Sequence, residues 1–61
     1  MIQIKPIFGD WKTVSKKEAL DFAIWLYKNI TTMIDDEKVE YINKNKIKGI
    51  QFTKEELIGA D

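Results

Sequence analysis

The chain has 61 residues, with ten lysines balanced by ten acidic side chains and a formal net charge of zero. It contains no histidine, cysteine or arginine, and Ser15 is its only serine. These absences exclude disulfides, zinc sites built from cysteine or histidine, and catalysis that depends on histidine. We therefore expect a single domain, residues 1–61, that is not an enzyme and needs no cofactor. A neutral chain also exerts no overall attraction on nucleic acid or anionic membranes.

The sequence shows no sign of a secretory leader or a membrane span. Met1 is followed directly by Ile2 and Gln3, and the longest apolar run, Phe22 to Tyr27, is too short to cross a bilayer. We expect a cytoplasmic protein. Abundant isoleucine, lysine and asparagine without arginine is typical of an AT-rich genome and indicates a low-GC bacterium or its phage.

The N-terminal segment, residues 2–8, has the pattern of a β-strand. Ile2 and Ile4 alternate with polar neighbours, as in a strand with one buried face. Pro6 cannot donate a backbone hydrogen bond, which predicts an edge or a bend at that position. Gly9 then ends the pattern.

The clearest predicted element is a helix at about residues 16–29. Ser15 and Glu18 have the spacing of a capping box at its start. Apolar residues cover most of its circumference, while Trp25 lies outside their arc between polar neighbours. A helix this apolar either packs between layers or meets another chain.

The middle of the chain allows two interpretations. We favour a β-hairpin at about residues 31–42, because threonine, isoleucine, valine and tyrosine suit strands and the acidic run after Ile34 suits a turn. The alternative is a second helix from Asp35 to Lys48, capped by Gly49. The hairpin is preferred because the apolar residues of this region fall on no single helical face: Val39, Tyr41, Ile42 and Ile47.

A short C-terminal helix is predicted at about residues 54–58, since Thr53 and Glu56 form a second capping box and Gly59 follows. The overall prediction is a small α+β domain. It comprises an N-terminal strand, one main helix, a hairpin and a short terminal helix, with a helical second half as the alternative.

The acidic residues do not form a convincing chemical site. Asp35, Asp36 and Glu37 lack the alternating ligands and the glycine of a calcium loop, so we predict a solvated turn and no metal site. Glu56 is best explained as a helix cap. Ser15 has no histidine to activate it, and we predict no catalytic residue.

Four aromatic residues are candidates for a protein interface: Trp25, Trp11, Tyr27 and Tyr41. Tryptophan and tyrosine are enriched among residues that dominate binding energy. Trp25 is the preferred anchor because it lies off the core stripe of its helix. For Trp11, filling the core is the favoured interpretation.

A basic cluster provides the alternative function. Lys44, Lys46 and Lys48 form a predicted loop with Tyr41 and Phe52 nearby. Lysines interleaved with aromatic rings can bind phosphates and stack bases. Three lysines on a neutral chain make this a weaker hypothesis than protein binding.

Several short segments within residues 20–58 resemble small proteins of phages and prophages of low-GC Gram-positive bacteria. They are Trp25-Leu26, Asn29-Ile30-Thr31-Thr32, Tyr41-Ile42-Asn43-Lys44-Asn45, Gly49-Ile50, Thr53 and Glu55-Glu56-Leu57. The resemblance implies an accessory gene of a mobile element, whose products often bind and inhibit a host protein. We therefore expect a homo-oligomeric accessory protein that binds a host or phage protein stoichiometrically, such as a defence or replication enzyme.

Overall fold

The computed structural model describes residues 1–59, in which a three-stranded antiparallel sheet packs against three helices. The strands are β1 (Ile2–Ile4), β2 (Lys12–Val14) and β3 (Ile47–Lys48), and the helices are α1 (Lys16–Asn29), α2 (Asp35–Asn45) and α3 (Lys54–Ile58). The predicted α+β class is confirmed. No helix among these residues has the length and apolar character needed to cross a membrane.

The central strand β1 pairs with β2 on one side and β3 on the other. Ile4 lies opposite Ile47, and both side chains are buried beneath the helices. Successive residues of a strand point to opposite faces, so Gln3 faces away from the core. The helices thus cover one face of the sheet and leave the other uncovered.

The N-terminal strand is shorter than the predicted residues 2–8. The Lys5 N–H still donates to the Lys46 carbonyl oxygen at 2.8 Å, which continues the pairing by one bond. Pro6 has no N–H to donate, and the chain leaves the sheet there. Ile7 and Phe8 consequently lie exposed in the connection between β1 and β2.

Helix α1 has the predicted bounds and Ser15 caps its start, but the predicted capping box is only half formed, because the Glu18 carboxylate accepts the Ser15 hydroxyl at 3.2 Å and not the Ser15 N–H. The Ser15 hydroxyl oxygen accepts a hydrogen bond from the Glu18 N–H at 3.2 Å, which satisfies one of the free donors at the helix start. Ala19 and Ala23 are fully buried. Small side chains at these positions let the sheet and the other helices approach the α1 backbone closely.

The hairpin predicted at residues 31–42 is wrong, because the chain forms helix α2 instead. Acidic residues fill its first turn and complement the positive end of the helix dipole. The Glu37 side chain also accepts the Ile34 N–H at 3.3 Å. Ile47 lies beyond the end of α2, so it does not have to share a helical face with the other apolar residues. Val39 and Ile42 are three residues apart and lie on the same face of α2. The alternative prediction of a helix from Asp35 to Lys48 is therefore closer to the structure, although α2 ends at Asn45.

Helix α3 also has the predicted bounds and the reciprocal capping box. The Thr53 hydroxyl oxygen accepts the Glu56 N–H at 3.2 Å, and the Glu56 carboxylate accepts the Thr53 N–H at 2.9 Å. Leu57 is almost fully buried. This short helix thus closes one end of the core, whose buried members are Ile4, Ala19, Ala23, Tyr27, Ile42, Ile47, Phe52 and Leu57.

The side-chain amide of Asn43 ties α2 to the extended segment before α3. Its nitrogen donates to the Phe52 carbonyl oxygen at 2.8 Å, and its oxygen accepts the Phe52 N–H at 2.9 Å. Both backbone groups of Phe52 are thereby satisfied by one side chain, as a neighbouring strand would satisfy them. The Phe52 ring is held in the core.

Gly49 is required where the chain leaves β3. Its φ is +89°, and a side chain there would overlap the Met1 carbonyl oxygen. Gly9 has a similar φ of +99° but faces open space. A side chain at Gly9 would therefore lower the stability only by straining the backbone, whereas one at Gly49 would also cause a steric clash.

We expect Gly49→Ala to destabilise the protein much more than Gly9→Ala. The Gly9 variant should cost about 1–2 kcal/mol for the left-handed backbone alone. The Gly49 variant adds a clash that only a shift of the N-terminal strand relieves. Chemical denaturation of both variants measures the difference, and equal losses would contradict the close approach of Gly49 to Met1.

Candidate interaction surfaces

The first candidate surface is the exposed side of α1 around Trp25. The indole is 47% exposed, although tryptophan is a large apolar side chain. Asp21 and Asn29, one helical turn away on either side, are also exposed. The side-chain amide of Asn29 donates to the Trp25 carbonyl oxygen at 2.7 Å. The core forms without this ring.

The second candidate surface is the face of the sheet that no helix covers, called here the outer sheet face. Its centre is a row of three polar residues, because Gln3 lies directly opposite both Thr13 and Lys48 in the strand register. Thr13 and Lys48 are exposed and Gln3 is half-buried. Hydrogen-bonding side chains and a positive charge therefore line this face.

A contact between Lys48 and Trp11 borders the outer sheet face. The Lys48 ammonium lies 4.1 Å from the centre of the half-buried Trp11 ring, a cation–π geometry. Trp11 lies outside the buried core cluster, so the interpretation of this residue as a core filler is wrong.

Asp10 holds the start of β2 beside this contact. Its carboxylate accepts the Trp11 N–H at 2.8 Å and lies 3.6 Å from the Lys5 ammonium. The hydrogen bond from the backbone N–H of Trp11 lowers the pKa of Asp10 below its ordinary value, and the positive charge of Lys5 lowers it further. The carboxylate is therefore ionised near neutral pH and is already partnered by Lys5.

Exposed apolar residues in the N-terminal region form a further candidate contact that the sequence pattern did not indicate. Phe8 is 90% exposed and Met1 is 96% exposed, and Ile7 is exposed as well. The alternation at residues 2–8 suggested that Ile7 and Phe8 belonged to a strand. The useful signal was Pro6, which ends the pairing and places both side chains in the connection.

Tyr27 does not belong to an interface, because it is only 9% exposed and packs in the core. Its hydroxyl has no hydrogen-bond partner among residues 1–59. The Lys38 ammonium lies 4.8 Å from the centre of the ring. Burial, and secondly the neighbouring carboxylate of Asp35, raise the pKa of Tyr27. The phenol is therefore neutral at physiological pH.

The predicted cluster of Lys44, Lys46 and Lys48 is not a single loop. Lys44 lies on α2, Lys46 caps the end of that helix, and Lys48 lies in β3. The Lys46 ammonium lies 5.9 Å from the centre of the half-buried Tyr41 ring. Tyr41 and Lys44 line a surface groove of about 250 Å³, whereas Lys48 contacts Trp11 on the outer sheet face.

The acidic residues near the start of α2 are engaged with lysines. Asp35 lies 4.0 Å from the Lys38 ammonium, and Asp36 lies 3.4 Å from that of Lys54 on α3. Within residues 1–59, no group of three histidine, cysteine or acidic side chains could hold a metal ion. The ion pair between Asp36 and Lys54 instead joins α2 to α3.

Comparisons with protein-family models, with curated proteins and with solved structures found no match to this chain. Function therefore has to follow from the two surfaces described above.

Replacing Tyr27 with phenylalanine should reduce the loss of stability at alkaline pH. A raised pKa means that the folded protein binds the phenolic proton more tightly than the unfolded chain does. The stabilisation is complete below the unfolded pKa of about 10 and is lost as pH rises through the folded pKa. The free energy of unfolding of the native protein and of Tyr27→Phe is measured by chemical denaturation at several pH values between about 8 and 11. The control is Tyr41→Phe, and identical pH profiles for all three proteins would contradict the buried state of the Tyr27 hydroxyl.

Proposed function

We propose that this protein acts by stoichiometric binding to another protein and that it catalyses no reaction. The observation that carries the proposal is the number of large apolar side chains outside the core. Six are exposed among residues 1–59: Met1, Ile7, Phe8, Trp25, Ile34 and Ile58. A contiguous exposed apolar patch on a protein surface is typical of an interaction site.

Trp25 is the anchor of the proposed interface. Tryptophan supplies a large contact area with little loss of conformational freedom, and it is the residue type most enriched among binding hot spots. Its place on α1, the longest helix, gives it a rigid backbone. The Trp25 ring lies outside the core cluster, so packing of the core does not explain why a tryptophan is at this position.

The partner in this proposal is either a second copy of the chain or a host or phage protein. A small core without disulfides gains stability when an apolar surface is buried by self-association. The resemblance of residues 20–58 to phage and prophage proteins supports an accessory role. In that setting the target is a cytoplasmic host protein, such as a defence or replication enzyme, which the bound protein inhibits.

Trp25→Ala should leave the fold intact and weaken association. The ring is half exposed and outside the core, so circular dichroism should keep the helical signal of the native protein. Loss of a hot-spot residue should weaken the dimer, or the complex with a target, by about 2 kcal/mol or more. Sedimentation velocity over a wide concentration range measures the dimer, and a pull-down with tagged protein measures the target.

The matched control is Ile34→Ala, which removes another exposed apolar side chain outside α1. If general hydrophobicity caused association, both variants would weaken it equally. A Trp25 variant that folds and associates like the native protein would contradict the anchor. A native protein that remains monomeric and captures no partner would contradict the proposed function itself.

A further inference from the structure

The fold separates charges that balance in the sequence. Residues 1–14 and 46–50, which form the sheet and its connections, carry four lysines and one acidic residue: Lys5, Lys12, Lys46, Lys48 and Asp10. Helices α2 and α3 carry six acidic residues and three lysines. The strands and their connections are therefore basic and helices α2 and α3 are acidic, although the net charge is zero.

From this arrangement we propose that the outer sheet face binds single-stranded nucleic acid. The ligand's phosphates would contact Lys48 at this face. Its bases would stack on the aromatic side chains of the β1–β2 connection and the start of β2. This site is separate from the Trp25 surface, and of the exposed apolar residues that support protein binding it uses Phe8. It also differs from the lysine cluster predicted from sequence, because it includes Trp11 and excludes Lys44.

Lys48 is the central cation of this site. Among residues 1–59 it forms no ion pair, and its ammonium lies over the Trp11 ring instead. A phosphate can therefore approach it without displacing a carboxylate partner. Asp10, whose pKa the charge of Lys48 also helps to lower, is paired with Lys5 and bonded to the backbone N–H of Trp11.

The aromatic side chains supply the stacking surfaces. Phe8 is 90% exposed in the connection between β1 and β2, three residues before Trp11. Base stacking on aromatic rings tolerates any sequence, because every base has a flat π face. A duplex hides those faces, so the site favours unpaired strands.

The polarity of the outer sheet face favours nucleic acid over an acidic protein. Its central row is Thr13, Gln3 and Lys48, whereas the core of a protein interface is apolar and depleted of charge. Three strands spaced about 4.8 Å apart form a surface about 10 Å wide, which suits one extended strand. Polar side chains and lysines can hydrogen-bond to a sugar-phosphate backbone without specifying its sequence.

The test uses a Trp25→Phe background, in which Trp11 is the only tryptophan. We expect fluorescently labelled oligothymidylate and oligouridylate of about ten nucleotides to bind and to quench Trp11 emission. Affinity should fall steeply between about 50 and 200 mM salt. A duplex of the same length and inorganic polyphosphate should bind at least about tenfold more weakly, since neither offers free base faces. The comparison of DNA with RNA shows which sugar the site accepts.

Three variants locate the site. Lys48→Gln should weaken binding severalfold and lower the slope of log affinity against log salt by about one. The matched control, Lys28→Gln on α1, should change neither quantity. Phe8→Ala should weaken binding about fivefold or more through lost stacking. The Phe8 side chain is exposed in a loop, so we expect this variant to fold like the native protein and a loss of binding to report on the site itself.

Several results would overturn this proposal. One is no binding of either oligonucleotide at low salt, and another is binding that Lys48→Gln and Phe8→Ala leave unchanged. Equal affinity for polyphosphate would show simple charge attraction without stacking. Tight binding of a polyglutamate peptide in place of the oligonucleotides would assign the outer sheet face to an acidic protein.

Discussion

The two hydrogen bonds between the Asn43 amide and the backbone of Phe52 hold the second half of the chain in place. Residues 50–53 form no strand, so the Phe52 N–H and carbonyl oxygen would otherwise be left without partners as its ring enters the core. A buried donor or acceptor without a partner costs about 1–3 kcal/mol, a large fraction of the stability of a small domain. One side chain therefore positions α3 against α2 and completes the core.

This constraint also determines which surfaces remain free. With α2 and α3 joined on one side of the sheet, the chain passes from the end of α2 at Lys46 directly into β3, whose pairing with β1 places Lys48 beside Trp11. The helices cannot cover both faces of a sheet in so short a chain. The outer sheet face and the exposed side of α1 consequently carry the two proposed binding surfaces.

Local signals predicted α1 and α3 accurately, because Ser15 and Thr53 each cap a helix start through a hydrogen bond to a residue only three positions later. The sequence predicted α2 less clearly, since only three of its eleven residues are apolar: Val39, Tyr41 and Ile42. The bond between Asn43 and Phe52 was also hidden, because it joins residues nine apart through tertiary packing. For the same reason, periodicity alone did not show that Lys48 would meet Trp11.

Hydrogen exchange of the Phe52 amide tests the account most directly. In the native protein this N–H should exchange much more slowly than that of the exposed Gln51, and Asn43→Ala should abolish the difference while lowering the melting temperature. Asn45→Ala, which removes only a bond to the carbonyl oxygen of Tyr41 on the helix surface, should leave the protection of Phe52 intact. A Phe52 amide that exchanges as rapidly as Gln51 in the native protein would contradict the account.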